Sequence, residues 1–208
     1  MVACLALMLA LTKNSAAQNF AYGLEERSRI VGLKPLHEGR GLPNGRRELR
    51  IWFGFGMIEP ETLTRIRTDG KSVHGSKIFW WTRTTENEEI VAELDPHATS
   101  NGELYANLQA TAGCGPVRRY GDHEMCTARL AAGQSWQSIL QSLDSLGVGD
   151  LASGDAVGID GWRMVVEARD GPSYRTYSYF MPDTSASDPQ TRRAAFILQL
   201  VCLIGYRE

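Results

Sequence analysis

The segment WRMVVEARDGPSYRTYSYF, residues 162–180, restricts what this chain can fold into more than any other stretch. In its first half, apolar side chains occupy every second position, which is the two-residue period of a β-strand. The turn formers Asp-Gly-Pro interrupt the pattern at 170–172, and a second alternating run follows. That run places Arg175, Tyr177 and Tyr179 on one side of the chain. The segment therefore predicts a β-hairpin within an antiparallel sheet.

A second strand-forming block begins with ELRIWFGFG at residues 48–56. Its odd-numbered positions carry Leu, Ile and Phe, whereas Arg50 and Trp52 fall on the opposite face. The sequence TDGK at 68–71 then separates two β-prone runs, and an Asp-Gly pair in that context indicates a hairpin turn. We expect an antiparallel meander of about three strands in this block.

Two segments carry the apolar spacing and the capping residues of helices. SWQSILQSLDSLG at 135–147 has a serine in the favoured N-cap position and apolar side chains on one face. Farther along, Asp188 is an N-cap candidate, Pro189 occupies the favoured first position, and the apolar run 194–204 predicts a buried helix. ELYANLQA at 103–110 fits either a helix or a strand, and that choice stays open at this point.

The order of these segments indicates the fold class. Predicted strands and helices fall in separate blocks instead of alternating one by one. That order predicts an α+β fold, in which an antiparallel sheet of hairpins packs against a few helices, including a buried C-terminal helix. ENEEIVAEL at 86–94 fits a further short helix.

The N-terminal part differs in composition from the remainder. Residues 18–47 hold few large apolar side chains and many turn formers, so we expect an irregular segment there. Its basic side chains form a small cluster that we expect to be solvated: Arg40, Arg46 and Arg47. A single domain is expected over residues 48–208, and a sub-division near residue 85 is the alternative.

The first residues have the pattern of an export signal. An apolar run at 2–11 precedes the small residues Ser15, Ala16 and Ala17, as in a secretory signal peptide. We therefore expect a signal peptide over residues 1–17 and a periplasmic or secreted mature chain. A buried N-terminal helix is the alternative. The apolar run is too short to span a bilayer, so we expect no transmembrane segment in the mature chain.

The overall charge excludes one broad class of function. The formal net charge is −2 at pH 7, whereas general nucleic-acid binders present a basic surface, so we expect no nucleic-acid partner. The sequence contains neither a phosphate-binding glycine motif nor a G-x-S-x-G nucleophile elbow. These patterns give no reason to expect a cofactor, and we assign no catalytic residue.

CGPVRRYGDHEMC at 114–126 is the stretch with the highest density of reactive side chains. Its cysteines, Cys114 and Cys126, favour a disulfide bond if the compartment is oxidising. Zinc sites usually place cysteines closer together, and HEMC lacks the second histidine of an H-E-x-x-H motif, so a metal site is disfavoured. Cys202 lies in the apolar run LQLVCLIG, which predicts a buried free thiol.

The disulfide would present a constrained polar loop to solvent. Arg118, Arg119, Tyr120, Asp122 and His123 belong to that loop. Because a pre-ordered loop loses less entropy on binding than a flexible one, we consider these residues a candidate surface for recognising a protein. A stapled surface loop without a partner is the alternative.

Aromatic side chains on the predicted strands form a second candidate surface. It comprises Trp52, Trp81, Arg175, Tyr177 and Tyr179. Aromatic rings beside arginines are common anchors of protein interfaces, and rings of this kind also stack on sugars. The alternative is that these rings pack beneath a helix, with arginine stems lying over them.

Four segments together carry a resemblance that spans most of residues 47–205. They are ELRIWFGFG, SWQSILQSLDSLG, GWRMVVEARDG and YRTYSYFMPD, the last of which precedes the C-terminal helix. In this arrangement the chain resembles uncharacterised exported, periplasmic proteins of Gram-negative bacteria. The resemblance implies a periplasmic location and no particular activity.

Three hypotheses for the function follow. The first, which we favour, is a non-enzymatic envelope protein that binds another protein, such as an inhibitor or an immunity factor for an envelope-acting toxin. The second is a hydrolase acting on cell-wall sugar or peptide, for which Glu59, Glu61, Glu167 and Asp183 are candidate acids by residue type alone. The third is a small-ligand or glycan-binding module that stacks sugars on aromatic rings.

Overall fold

The computed structural model describes residues 23–38, 41–55, 60–83, 102–154 and 161–205. The predicted signal peptide at 1–17 and the short helix expected at 86–94 lie outside these residues. The chain divides into two compact units, residues 1–39 and 40–208.

The first unit contains helix α1 over residues 23–30. Leu24, Ile30 and Leu36 of this unit have buried side chains. The helix lies inside the segment 18–47 that we expected to be irregular, and for this stretch the expectation was wrong. The expectation was based on the small number of large apolar residues. A helix of two turns needs only a few such residues at helical spacing to bury one face.

Among the described residues of the second unit, seven strands form one antiparallel sheet, which confirms the predicted α+β fold. The strands are β1 Arg47–Gly54, β2 Glu61–Thr68, β3 Val73–Thr82, β4 Arg118–Tyr120, β5 His123–Thr127, β6 Arg163–Asp170 and β7 Ser173–Phe180. Their order across the sheet is β4-β5-β3-β2-β1-β6-β7. β3 pairs with both β2 and β5, so strands that precede and follow residue 85 in the sequence belong to the same sheet. A sub-division near that residue was the alternative.

The two hairpin turns predicted from Asp-Gly pairs are present. Asp170 pairs with Ser173 across a two-residue turn that joins β6 to β7. Between β2 and β3, the Asp69 carboxylate accepts hydrogen bonds from the backbone N–H groups of Lys71 and Ser72 at 3.0 and 2.9 Å. An aspartate that bonds its own turn in this way favours the reversal of the chain over an extended alternative.

In the ranges that the structure describes, three helices accompany the sheet: α2 Gly102–Ala112, α3 Trp136–Ser145 and α4 Pro189–Leu203. ELYANLQA, which fitted either a helix or a strand, lies in helix α2. The predicted N-caps are both present. The Ser135 hydroxyl accepts from the N–H of Ser138 at 3.1 Å, and the Asp188 carboxylate accepts from the N–H of Thr191 at 2.7 Å. Each cap satisfies a backbone donor at the helix start and stabilises it by about 1 kcal/mol.

The main core lies between one face of the sheet, α3 and α4. Ile51 of β1, Leu143 of α3 and Ile197 of α4 belong to the same buried cluster. Burial of each such side chain contributes roughly 1.5–3 kcal/mol. Gly75 of β3 provides the close approach for α3, because a Cβ at this position would overlap the indole ring of Trp136.

A second apolar cluster joins α2 to the sheet. It contains Phe79 and Trp81 of β3, Leu108 of α2, and the two cysteines Cys114 and Cys126. This cluster fixes the position from which β4 and β5 extend.

The C-terminal helix is buried on the side that faces the sheet. Ile197 and Val201 are among its buried side chains, whereas Phe196 and Leu203 remain 44% and 63% exposed. Cys202 is a free thiol, as predicted, although it is only partly buried. In the part of the chain that the structure describes, no helix is long and apolar enough to cross a membrane.

Candidate binding surface

A small hairpin, β4–β5, forms one end of the sheet, and two cysteines bracket it. Cys114 and Cys126 make the predicted disulfide bond, with Cα atoms 5.7 Å apart. Tyr120 pairs with His123 across the turn. Gly121 in that turn has a φ of +54°, which glycine adopts without steric penalty. The stretch that the sequence indicated only as a constrained loop is therefore an ordered hairpin.

The outermost strand of the sheet presents three polar side chains in succession. Arg118, Arg119 and Tyr120 are all exposed, and Tyr120 exposes 51% of its surface. Asp122 is exposed as well, and His123 is partly buried. No described strand pairs with the outer edge of β4. The structure thus brings the five residues of the predicted recognition loop together at one edge of the sheet.

A buried carboxylate fastens the hairpin to the sheet. Glu124 of β5 is fully buried, and it accepts a hydrogen bond from Nε1 of Trp81 at 3.0 Å. Its other oxygen accepts from Nε of Arg119 at 3.3 Å, while the Arg119 side chain remains 41% exposed. A buried charge needs such partners, because its desolvation otherwise costs several kcal/mol. Glu124 therefore positions Arg119 without removing it from solvent.

The turn of the hairpin is also tied to the end of β3. The backbone N–H of Arg83 donates to the carbonyl of Asp122 at 2.8 Å. The Arg83 guanidinium lies 3.5 Å from the carbonyl oxygen of Gly121, and a contact of this length adds little stability by itself. The disulfide, the Glu124 carboxylate and this backbone bond restrain the hairpin from three directions, so little further ordering is needed for binding.

The second candidate surface does not lie on the outside of the described structure. Its rings have exposures of 0% for Trp52, 1% for Trp81, 3% for Tyr177 and 3% for Tyr179. Only Arg175 of this set is exposed, and it lies 3.4 Å from Asp150. The structure corrects the expectation of surface anchors: Tyr177 and Tyr179 belong to the main core, and Trp81 belongs to the cluster with α2. Trp52 lies on the opposite face of β1, and it is buried there as well.

The polar atoms of these buried rings have hydrogen-bond partners. Nε1 of Trp52 donates to the Glu167 carboxylate at 2.8 Å. The Tyr177 hydroxyl donates to the carbonyl of Val148 at 2.7 Å, and burial raises the pKa of this phenol. Rings with polar atoms fill a core at low cost when such partners are available.

Sequence reasoning missed a buried ionic network on the second face of β1. The Glu48 carboxylate accepts from Nε of Arg50 and from Nε of Arg65, both at 2.8 Å. Burial by itself raises the pKa of Glu48, but the hydrogen bond from Arg65 and the charge of Arg50 lower it overall. The charged positions in β1 were the available signal, and they could not show that β2 supplies the second arginine.

Two of the acids named for the hydrolase hypothesis have structural roles. Glu167 is 1% exposed, and its two oxygens accept from Trp52 and from the Tyr174 hydroxyl. Asp183 accepts from the backbone N–H of Ser185 at 2.8 Å and so holds its own turn. The remaining candidate in the described residues, at position 61, is half-buried on β2, and the one at position 59 lies outside them.

One group in the first unit has the residue types of a metal site. Ligand atoms of Glu25, His37 and Glu38 lie within 4.8 Å of one another. Nε2 of His37 is 3.6 Å from a carboxylate oxygen of Glu25. These residue types suit a divalent cation, but a histidine beside surface acids is also common without one, so we assign no metal here.

No protein family, curated protein or solved structure matches this chain. The resemblance to exported proteins therefore stays an expectation from the sequence, and proposals about function rest on the geometry described above.

Proposed function

We propose that this chain is an exported envelope protein that acts by binding another protein, with the β4–β5 hairpin as its recognition surface. One observation carries the proposal: Arg118, Arg119 and Tyr120 are consecutive exposed residues on the outermost strand of the sheet. Arginine and tyrosine are enriched in interface hot spots, because each combines a large contact area with directed hydrogen bonds.

The hairpin favours an acidic partner that encloses it. Adjacent residues of a strand point to opposite faces, so Arg118 and Arg119 extend to the two sides of β4. A partner that contacts both guanidinium groups must approach the edge of the sheet and pass along both sides of it. A cleft lined by carboxylates meets both requirements, and an inhibitor or immunity factor that inserts a rigid hairpin would act in this way.

The location follows from the same hairpin and from the N-terminal sequence. The disulfide between Cys114 and Cys126 indicates an oxidising compartment, where such bonds persist. The signal-peptide pattern at 1–17 narrows this compartment to the periplasm or the exterior in our proposal.

The two alternatives receive less support. Stacking of glycans on Trp52 or Trp81 would need rings that are accessible, and both are in the core. Hydrolysis by an acid pair would need carboxylates that face a substrate, whereas Glu167 is enclosed and Asp183 is part of a turn.

The test begins with in-cell cross-linking of tagged protein in the bacterial envelope, followed by mass spectrometry to identify the partner. Affinity for that partner is then measured for the wild type and for the double variant Arg118→Glu/Arg119→Glu. Loss of two interface arginines with charge reversal predicts a decrease in affinity of about 100-fold or more.

The double variant Arg29→Glu/Arg193→Glu is the matched control, because it changes the net charge by the same amount at two other exposed positions. We expect this control to bind with nearly wild-type affinity. Equal affinities of the hairpin variant and the wild type would remove the hairpin from the binding site. An equal decrease in affinity in both variants would mean that the net charge of the protein, and not the hairpin, determines the affinity.

A further inference from the structure

A cavity of about 310 Å³ lies where β1 begins and β2 ends. Charged and polar side chains provide most of its wall: Arg46, Arg47, Glu48, Arg67, Asp69 and His74. Its volume is at the lower end of the range for small-molecule pockets, about 300–1,000 Å³. The sequence suggested only a solvated basic cluster of Arg40, Arg46 and Arg47 at this point. The structure places Arg46 and Arg47 at the wall of the cavity, and Arg40 lies outside the described residues.

Two arginines of the cavity wall have no acidic partner in the part of the chain that the structure describes. Among the residues that the structure describes, the guanidinium groups of Arg46 and Arg67 make no hydrogen bond or ion pair. Arg67 is the cross-strand partner of His74, so these two side chains are neighbours on one face of the sheet. Arg47, in contrast, already binds Asp144 at 2.6 Å.

The carboxylates of the wall are already engaged. Glu48 lies between the guanidinium groups of Arg50 and Arg65, which outnumber it in charge. Asp69 is bonded by backbone N–H groups of its own turn, including that of Ser72 at 2.9 Å. The charge of Glu48 is compensated by its arginine partners, whereas Asp69 keeps its negative charge at the wall. Arg46 and Arg67 together outnumber it, so an excess of positive charge remains.

The backbone that carries Arg46 is held in place. The N–H of Leu42 donates to the carbonyl of Gly171 at 2.7 Å, and the N–H of Gly171 donates to the carbonyl of Arg46 at 3.1 Å. The N–H of Arg46 donates to the carbonyl of Pro43 at 3.0 Å. The segment 42–46 is thus fixed against the β6–β7 turn, and the cavity exists before any ligand binds.

We propose that this cavity binds a small ligand through a tetrahedral oxyanion, which is a phosphate or a sulfate group. Arg46 and Arg67 supply planar sets of N–H donors that match the oxygens of such a group and stay charged at every physiological pH. The cavity has room for a small organic part beside the anion. This site is independent of the hairpin and of the partner proposed for it.

The test uses the full chain, labelled with ¹⁵N, and titrations with sodium phosphate and with sodium sulfate at constant ionic strength set by sodium chloride. We expect saturable shifts of the backbone amide signals of Gly45 and Gly70, which flank the cavity. The double variant Arg46→Gln/Arg67→Gln should weaken binding at least about tenfold, since each arginine supplies a charged hydrogen bond.

Arg29→Gln/Arg193→Gln is the control with the same change in charge, and we expect it to bind like the wild type. Both single variants, Arg46→Gln and Arg67→Gln, are measured as well, so a folding defect in the double variant cannot decide the result. Saturation with phosphate alone identifies a phosphate group as the ligand, and saturation with both salts identifies a general oxyanion site. Shifts that do not saturate, or equal weakening in the control, would overturn the proposal.

Discussion

Removal of the disulfide tests how far the hairpin depends on it. The change is the double variant Cys114→Ala/Cys126→Ala, which opens a loop whose ends are 12 positions apart. Alanine is chosen because both cysteines are buried in the apolar cluster with Phe79 and Trp81, where a serine hydroxyl would lack a partner.

The expected loss follows from the length of that loop. Opening a loop of this size restores entropy to the unfolded chain and lowers the free energy of unfolding by roughly 3 kcal/mol. For a protein of this size, such a loss shifts the unfolding midpoint by about 6–12 °C. The Glu124 carboxylate and the backbone bond of Arg83 stay in place, so we expect the sheet itself to remain folded.

The free energy of unfolding is measured by urea denaturation for the wild type and the variant, with and without a reductant. Reduced wild-type protein should approach the variant in stability, and the variant should not respond to the reductant. Cys202→Ala is the control, because it removes the free thiol and leaves the disulfide intact.

Two results would refute this reasoning. A loss below about 1 kcal/mol would mean that the loop is already restricted in the unfolded chain or is held equally well without the bond. An equal loss in Cys202→Ala would mean that packing of the removed sulfur atoms, and not cross-linking, accounts for the effect.

Three further predictions concern the core. Gly75→Ala should destabilise the fold by about 1–3 kcal/mol through overlap with Trp136, and Trp136→Leu in the same chain should recover part of the loss in urea denaturation. The lowered pKa of Glu48 contributes stability that is complete above pH 4.5 and is lost as the pH falls through the folded-state pKa. In Glu48→Gln, the free energy of unfolding should therefore decrease less steeply between pH 4.5 and lower pH than in the wild type. Burial raises the pKa values of Tyr174 and Tyr177, so stability should fall as the pH rises above 10, and Tyr177→Phe should reduce that slope by up to about 1.4 kcal/mol per pH unit. A slope that is the same in Tyr177→Phe and the wild type would contradict the last prediction.

Local patterns were sufficient for most of the elements. The alternation around Ile51 and the caps Ser135 and Asp188 predicted β1, α3 and α4, because each signal involves residues close together in sequence. The bond between Cys114 and Cys126 was predictable for the same reason, since few pairings compete over so short a distance.

Features that depend on distant partners were not predictable. Trp52 was assigned to a surface because it alternates with apolar residues, but it is fully buried, and its indole N–H donates to Glu167, which is 115 positions away. The ion pair of Glu48 with Arg65 and the sharing of one cavity by Arg46 and Arg67 likewise depend on strand pairing. Alternation identifies the two faces of a strand, but it does not show whether the polar face is covered.

Site-specific photo-crosslinking tests the proposed recognition surface most directly. A photoreactive phenylalanine analogue is placed at Tyr120 or, as a control, at the exposed position of Phe196, in cells that export the protein. We predict one discrete protein adduct from position 120, none of the same mass from position 196, and loss of the adduct when Arg118→Glu/Arg119→Glu is added. No adduct from position 120, or the same adduct from both positions, would contradict binding through the hairpin.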